Sequence, residues 1–437
     1  MRPFPDIYAL PASEITRIQV GLLQETISRA ARTSPFYRER FCLAQPAAAE
    51  VYTLEDLPRF PLTSKEDIQE RNQDFWAAAK DLLIEIVATT GTTGKPIYLA
   101  MTEQDLERLA ENERRGFSWL GAKPGDRFHV AITLDNLFVA GLAYHLGLRK
   151  IGATAIRVGA QPPRRHLDLM KQLRPDGLVA VPSLLLALAR QAAQDGDDLG
   201  ASAPRRAMLI GDAIRNQSLA SNTLGSLLEE TWGGELFSTY GLTEAGLAYH
   251  ECPMHQGLHS HPDLVVTEIV DDAGYPVADG EIGELVITTL QVEGMPLIRY
   301  RTGDITFRIP GVCPCGRGGA RIGPILGREQ HRLKVKGTTL YPKTIEEALL
   351  LVDGVENFLI EAHKGDDETD RLVVRIGTFR DDSCFRKLVS DTLYVKARVT
   401  PEVRLTSPRE VERLLFEGGR RKPRVFVDLR KIQGGTK

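Results

Sequence analysis

Between residues 127 and 231 the sequence alternates repeatedly between short apolar runs and longer amphipathic ones. Phe128–Thr133, Ala153–Val158, Gly177–Val181 and Ala207–Ile210 read as strands. Leu137–Ile151, His166–Leu173, Leu184–Ala193 and Asn216–Thr231 read as the helices between them. Alternation of this kind demands parallel strands with crossover helices packed on the faces of the sheet. Such sheets bind ligands at the carboxyl ends of their strands, where the connecting loops gather. This pattern excludes all-helical and all-β folds and makes the chain an α/β protein.

The flanking segments have a different grammar. Ile15, Ile18, Leu22, Leu23, Ile27 and Ala30 recur at helical spacing, with Ser13 as the expected N-cap and the turn at Pro35-Phe36-Tyr37 as the expected end. Leu264–Val270, Glu284–Thr289, Leu297–Tyr300 and Ile305–Ile309 are expected strands of a small antiparallel unit. Past Gly327-Arg328 a compact α+β pattern follows, so the expected domains are 1–327 and 328–437. The 437 residues carry 55 basic and 58 acidic side chains, a balance that provides no global field for nucleic acid or an anionic membrane. Neither a membrane-spanning run nor an apolar leader is legible, and five cysteines do not make a disulfide scaffold, so a reducing, cytoplasmic setting is expected.

Four segments carry chemistry. Thr89-Thr90-Gly91-Thr92-Thr93-Gly94-Lys95 follows an apolar run. Its glycines let backbone N–H groups approach an anion, its hydroxyls add donors, and Lys95 adds a charge, which together suit a polyphosphate. The spacing is not that of a Walker A loop. Ser238-Thr239-Tyr240-Gly241-Leu242-Thr243-Glu244 places a carboxylate just after a strand, where it can hold Mg²⁺ against phosphate oxygens. Arg299-Tyr300-Arg301-Thr302-Gly303-Asp304 puts an acid beside a glycine turn, suited to accepting ribose hydroxyls. Gly327-Arg328 with Leu333-Lys334-Val335-Lys336-Gly337 marks the domain boundary. Each has a structural alternative when taken alone: a polar surface loop, a capped strand-to-helix turn, a salt-bridged hairpin and a solvated linker.

Together, in this order, the segments resemble the acyl-adenylating superfamily, and within it the phenylacetate–CoA ligase family. Ser34-Pro35-Phe36-Tyr37-Arg38 resembles that family's "PFYR" element, and Leu137-Phe138 through His145 with Gly152-Ala153-Thr154 its "LFTGG…H…GAT" helix. Gly211-Asp212-Ala213 stands where the family has the turn beside adenine. Leu297–Asp304 is similar to "VIRYRTGD", and Tyr341-Pro342 with Ile345-Glu346-Glu347 to "FP…IEE". The resemblance implies a large domain with parallel and mixed sheets plus a small β unit, followed by a small mobile α+β domain. It implies a two-step reaction: a carboxylic acid attacks ATP to give acyl-AMP and pyrophosphate, then the thiol of coenzyme A displaces AMP. By the same likeness Thr89–Gly94, Gly211, Asp212, Thr239, Tyr240, Gly241, Thr243, Asp304 and Arg328 bind the nucleotide. Lys95, Glu244 and Lys422 take part in catalysis, with Mg²⁺ on Glu244. Family members are often dimeric, which makes a homodimer an expectation here.

Several positions depart from the family pattern. Gln330 stands where the family has an acidic hinge residue, and alignment by the following Arg-Val would place Arg421 rather than Lys422 at the lysine position. The acyl-pocket stretch reads Leu134-Asp135-Asn136-Leu137-Phe138, so Asp135 and Phe138, with Gly241, are expected to line the pocket. An aspartate there could pair with a substrate amine, the reading in which the acyl group passes to a carrier protein instead of coenzyme A. A third reading is a non-catalytic nucleotide-binding relative. Finally, Cys252, His259, Cys313 and Cys315 form a candidate structural Zn²⁺ set, with His255 as substitute ligand, and Cys42 and Cys384 are expected to be buried.

Overall fold

The computed structural model describes residues 6–44, 51–89, 95–197, 203–335, 338–365, 369–417 and 423–430. The chain divides into two compact units, Met1–Ser221 with Gly225–Ile325, and Asn222–Leu224 with Leu326–Lys437.

The first unit begins with α1 (Ala12–Thr33) and α2 (Pro35–Ala44). Helix α1 starts from Pro11, whose carbonyl takes the amides of Glu14 and Ile15, so Ser13 lies inside the helix and is not its cap. Pro35 does not end a helix but opens one. Its fixed φ suits a first helical position, and the break falls at Ser34, whose ψ is 119°. Next come α3 (Lys65–Arg71), the hairpin of β1 (Glu85–Ala88) and β2 (Tyr98–Met101), and α4 (Glu103–Trp119).

The alternating region is β3 (Arg127–Val130), α5 (Val139–Ile151), β4 (Thr154–Arg157), α6 (Pro163–Leu173), β5 (Gly177–Ala180), α7 (Pro182–Asp195), β6 (Arg206–Ile210), α8 (Thr223–Trp232) and β7 (Glu235–Leu242). Strands β8 (Leu247–Glu251) and β9 (Leu258–His259) follow. After them run β10 (Val265–Val270), β11 (Ile282–Thr289), β12 (Tyr300–Phe307) and β13 (Arg321–Ile322). One eight-stranded sheet has the order β13-β9-β8-β7-β6-β5-β3-β4. Its β4-β3-β5-β6-β7 portion is parallel, as the alternation predicts, and β8, β9 and β13 extend it antiparallel. Phe117, Phe128, Val130, Tyr144, Leu148, Met208 and Phe237 pack between this sheet and α4 and α5. Strands β10, β11 and β12 form a separate antiparallel sheet.

Two further expectations fail for local reasons. The helix expected from Asn216 starts at Thr223, because the Asn216 side chain accepts the Ser218 amide at 2.9 Å and Leu219 takes a φ of 67°. The strands expected at Leu297–Tyr300 and Ile305–Ile309 are instead a single strand, β12, running through Gly303, with a bulge opposite at Glu284/Val286. Leu297 and Ile298 bond side chains, donating their amides to Thr289 Oγ1 and the Tyr37 hydroxyl.

The second unit builds a four-stranded sheet in the order 402–406, 370–377, 357–364, 426–428, with helices Pro342–Leu349, Ser383–Ala397 and Pro408–Leu415. Ile345, Leu349, Ile360, Val374, Phe385, Val389 and Leu393 fill its core. Cys384 is exposed, contrary to expectation, because Phe385 takes the inward position one residue on; the Cys42 side chain lies outside the described residues. Among the described residues no helix is long and apolar enough to cross a membrane.

Candidate active site

The loops at the carboxyl ends of β3, β6 and β7 carry Asp135 and Phe138, Gly211 and Asp212, and Thr243 and Glu244 respectively. That is the edge at which a parallel sheet presents ligand-binding loops. Strands β7 and β8 form a tight hairpin, and Glu244 sits at its apex in the short turn Thr243–Ala245.

Glu244 is 8% exposed. Its Oε1 accepts the Tyr300 hydroxyl at 3.4 Å and lies 3.8 Å from Lys65 Nζ at the start of α3. Tyr240, on β7, donates its hydroxyl to Asp304 Oδ2 on β12 at 2.7 Å, which joins the two sheets of this unit. Burial, and then the neighbouring carboxylate, hold both phenols well above their ordinary range: Asp304 for Tyr240, Glu244 for Tyr300. Both therefore remain protonated donors. Tyr300 and Lys65 were not assigned roles from the sequence. Contacts that reach Glu244 from another sheet and from α3 leave no local signature.

The β1–β2 hairpin brackets the Thr/Gly/Lys segment. Thr90, Gly91, Thr92, Thr93 and Gly94 lie outside the described residues. Thr89 and Ile97 close the base of the loop: Thr89 N donates to Ile97 O and Ile97 N to Thr89 Oγ1, each at 3.0 Å. Lys95 is exposed, and its carbonyl takes Gln69 Nε2 at 2.7 Å. Ala88 N donates to Leu137 O at 2.8 Å, which ties the hairpin to the loop after β3. In that loop Asp135 is exposed and accepts the Thr133 hydroxyl, Asn136 and Leu137 have φ near 60°, and Phe138 precedes α5.

Gly211 has φ +102°, which favours glycine at the turn after β6. A Cβ on Gly241 would stand 3.0 Å from Ile210 Cδ1, a tight contact with the tip of that side chain. The Thr239 hydroxyl donates to Tyr249 O at 2.9 Å inside the hairpin. Arg328 is exposed in the second unit, and Lys422 and Arg421 lie outside the described residues. The salt-bridged alternative for the β12 segment is also realised, since Arg299 pairs with Glu268 and Arg301 with Glu284 while Asp304 still receives Tyr240.

A second cluster forms at the far end of β8. The donor atoms of Cys252, His259, Cys313 and Cys315 all lie within 4.8 Å of one another. Cys252 and Cys313 Sγ are 3.7 Å apart, and Cys315 Sγ is 3.6 Å from His259 Nε2. A tetrahedral Zn²⁺ with Zn–S near 2.3 Å requires ligand separations of about 3.8 Å. The donor set and its spacing therefore fit that ion. Burial pushes the Cys252 thiol up to about 12, so it ionises at neutral pH only beside a cation. His255, the alternative ligand, is held elsewhere by Glu251 at 3.1 Å and Glu235 at 3.6 Å.

The chain is an adenylate-forming enzyme by family. Residues 28–294 match the family model described as AMP-binding enzyme, and the chain belongs to that family. Its similarity within the family is to phenylacetate–coenzyme A ligases. The Thermus thermophilus enzyme is 33% identical over 80% of this chain and 78% of its own length. The Escherichia coli enzyme is 31% identical over 77% of this chain and 76% of its own. Among solved structures, 2-hydroxyisobutyryl-CoA ligase in the postadenylation state in complex with 2-HIB-AMP matches with a TM-score of 0.84 at 22% identity, covering 99% of this chain and 94% of that one.

Proposed function

We propose that the protein, an AMP-forming acid–CoA ligase by family, activates an aryl or related carboxylic acid at the carboxyl edge of the eight-stranded sheet. The observation that carries this reading is the joint placement of Tyr240–Asp304 and Tyr300–Glu244–Lys65, with α3, which bears Lys65, tied to the β1–β2 loop through Gln69 Nε2 and the Lys95 carbonyl. In the first step a carboxylate oxygen bonds to the α-phosphorus of ATP and the bond to pyrophosphate breaks. In the second the thiol of coenzyme A, losing its proton, bonds to the acyl carbon and AMP leaves.

This chain's residues supply position and charge. Asp304, oriented by the Tyr240 hydroxyl, accepts the ribose hydroxyls. Gly211 and Asp212 border the base. Thr89–Gly94 and Lys95 receive the phosphates. Glu244 is the residue that would hold Mg²⁺, which when bound disperses charge on the triphosphate. Lys422, by resemblance, serves adenylation from the C-terminal domain, with the boundary at 327/328. Asp135 and Phe138 border the acid, and Asp135 accepts the Thr133 hydroxyl. Cys252, His259, Cys313 and Cys315 would hold one Zn²⁺ in a closed, structural site.

The test is product stoichiometry over a panel of aryl and short-chain acids with ATP and coenzyme A. One AMP, one pyrophosphate and one thioester per acid consumed support the reading. Formation of ADP and phosphate, or acid-independent ATP hydrolysis alone, contradicts it.

A further inference from the structure

The Glu244 turn is braced from behind by one face of α4. Asp105, Arg108, Asn112 and Arg115 recur at helical spacing, and all are less than 4% exposed. This polar face is bonded largely to backbone. Arg108 donates to four carbonyl oxygens: Leu290 at 2.8 Å, Ala245 at 3.1 Å, Gly246 at 2.9 Å and Leu264 at 2.7 Å. Two of those carbonyls belong to the residues immediately after Glu244. Asn112 pairs with both backbone groups of Ala248, accepting its amide at 2.9 Å and donating to its carbonyl at 3.0 Å.

Sheet topology explains why the side chains are needed. Strand β9 pairs with β8 only at His250 and Glu251. Among the described residues the outer edge of the hairpin from Ala245 to Ala248 therefore has no strand beside it, and a buried backbone group without a partner is costly. The Asn112 amide and the Arg108 guanidinium take the place of the missing strand. An apolar helix face could not. The Tyr300 hydroxyl and Lys65 then fix the Glu244 carboxylate itself.

We propose that Arg108 and Asn112 are positioning residues for adenylation, holding the main chain of the β7–β8 turn so that the Glu244 carboxylate is aligned before nucleotide binds. The inference rests on Glu244 being the carboxylate of the Mg²⁺–nucleotide site. A carboxylate on an unbraced hairpin tip would have to be ordered in each turnover, and misplacement by about 1 Å can cost on the order of a hundredfold in rate.

The test measures acid-dependent ATP–pyrophosphate exchange against Mg²⁺ concentration for wild type, Arg108→Lys, Asn112→Ala, Glu244→Gln and the Arg108→Lys/Glu244→Gln double variant. Melting temperature identifies which variants fold. Arg108→Lys and Asn112→Ala are expected to raise the Mg²⁺ midpoint several-fold and lower kcat about tenfold, with KM for the acid unchanged. In the Glu244→Gln background, Arg108→Lys is expected to add nothing. Wild-type Mg²⁺ dependence in a folded Arg108→Lys or Asn112→Ala, or an undiminished Arg108→Lys loss in the double variant, overturns the inference. Glu244→Gln with unaltered Mg²⁺ dependence overturns the Glu244 reading instead. Hydrogen exchange on the wild-type protein needs no variant. Amides 245–248 protected like the β5–β6 core in the absence of nucleotide support the brace, and loop-like exchange there refutes it.

Discussion

Glu244 is 8% exposed at the tip of the β7–β8 hairpin, within reach of groups from another sheet and from α3. Its motif places a carboxylate after a strand, and the fold adds Tyr300 and Lys65 around it. Glu244→Gln keeps the shape and removes the charge, so exchange activity should fall on the order of a hundredfold with the melting temperature unchanged. Near-normal activity in that variant would remove the carboxylate from the mechanism. Glu244 and Asp304 were legible because the chemistry needs those residue types in short motifs. Lys65 and Tyr300 were not, since their roles arise from contacts between elements remote in sequence. Arg108 was hidden for a different reason: charged residues at helical spacing usually mark a solvated face, whereas here they bond buried backbone.

Among the elements, the strand–helix alternation was legible because each buried parallel strand is a short apolar run. Where polar side chains intercept the backbone, as at Asn216 and Thr289, pattern alone misplaced the boundaries. The same elements bury pH-sensitive groups. His129 on β3 and His166 on α6 contact each other at 2.8 Å, and both are fully buried. Burial, then the neighbouring His166, lowers His129 to about 3, and burial lowers His166 as well. Both rings are therefore neutral in the fold, while unfolded histidine gains a proton near about pH 6.5. Stability is fully present above that pH and is lost as pH falls from there toward the folded value. The melting temperature of His166→Gln should accordingly decline less steeply over this window than that of wild type, and parallel profiles would contradict the account. The loop between β12 and β13 meets the ends of β8 and β9 at the Cys/His cluster, where a bound Zn²⁺ would tie them together. Elemental analysis should find one zinc per chain, and its removal by a strong chelator should lower the melting temperature by several degrees. Absence of metal together with no shift would refute the site.

At the scale of the whole molecule, Lys422 of the second unit is proposed to take part in adenylation. Lys422→Ala should abolish acid-dependent exchange while Arg421→Ala retains most of it, and the reverse order would move the role to Arg421. The central claim is that an acid attacks the α-phosphorus of ATP reversibly on this protein. Incorporation of labelled pyrophosphate into ATP, with Mg²⁺ and no coenzyme A present, measures that step alone. The account predicts exchange that requires the acid and saturates with it. Exchange indifferent to every acid tested, or none on folded protein that binds ATP, would contradict it.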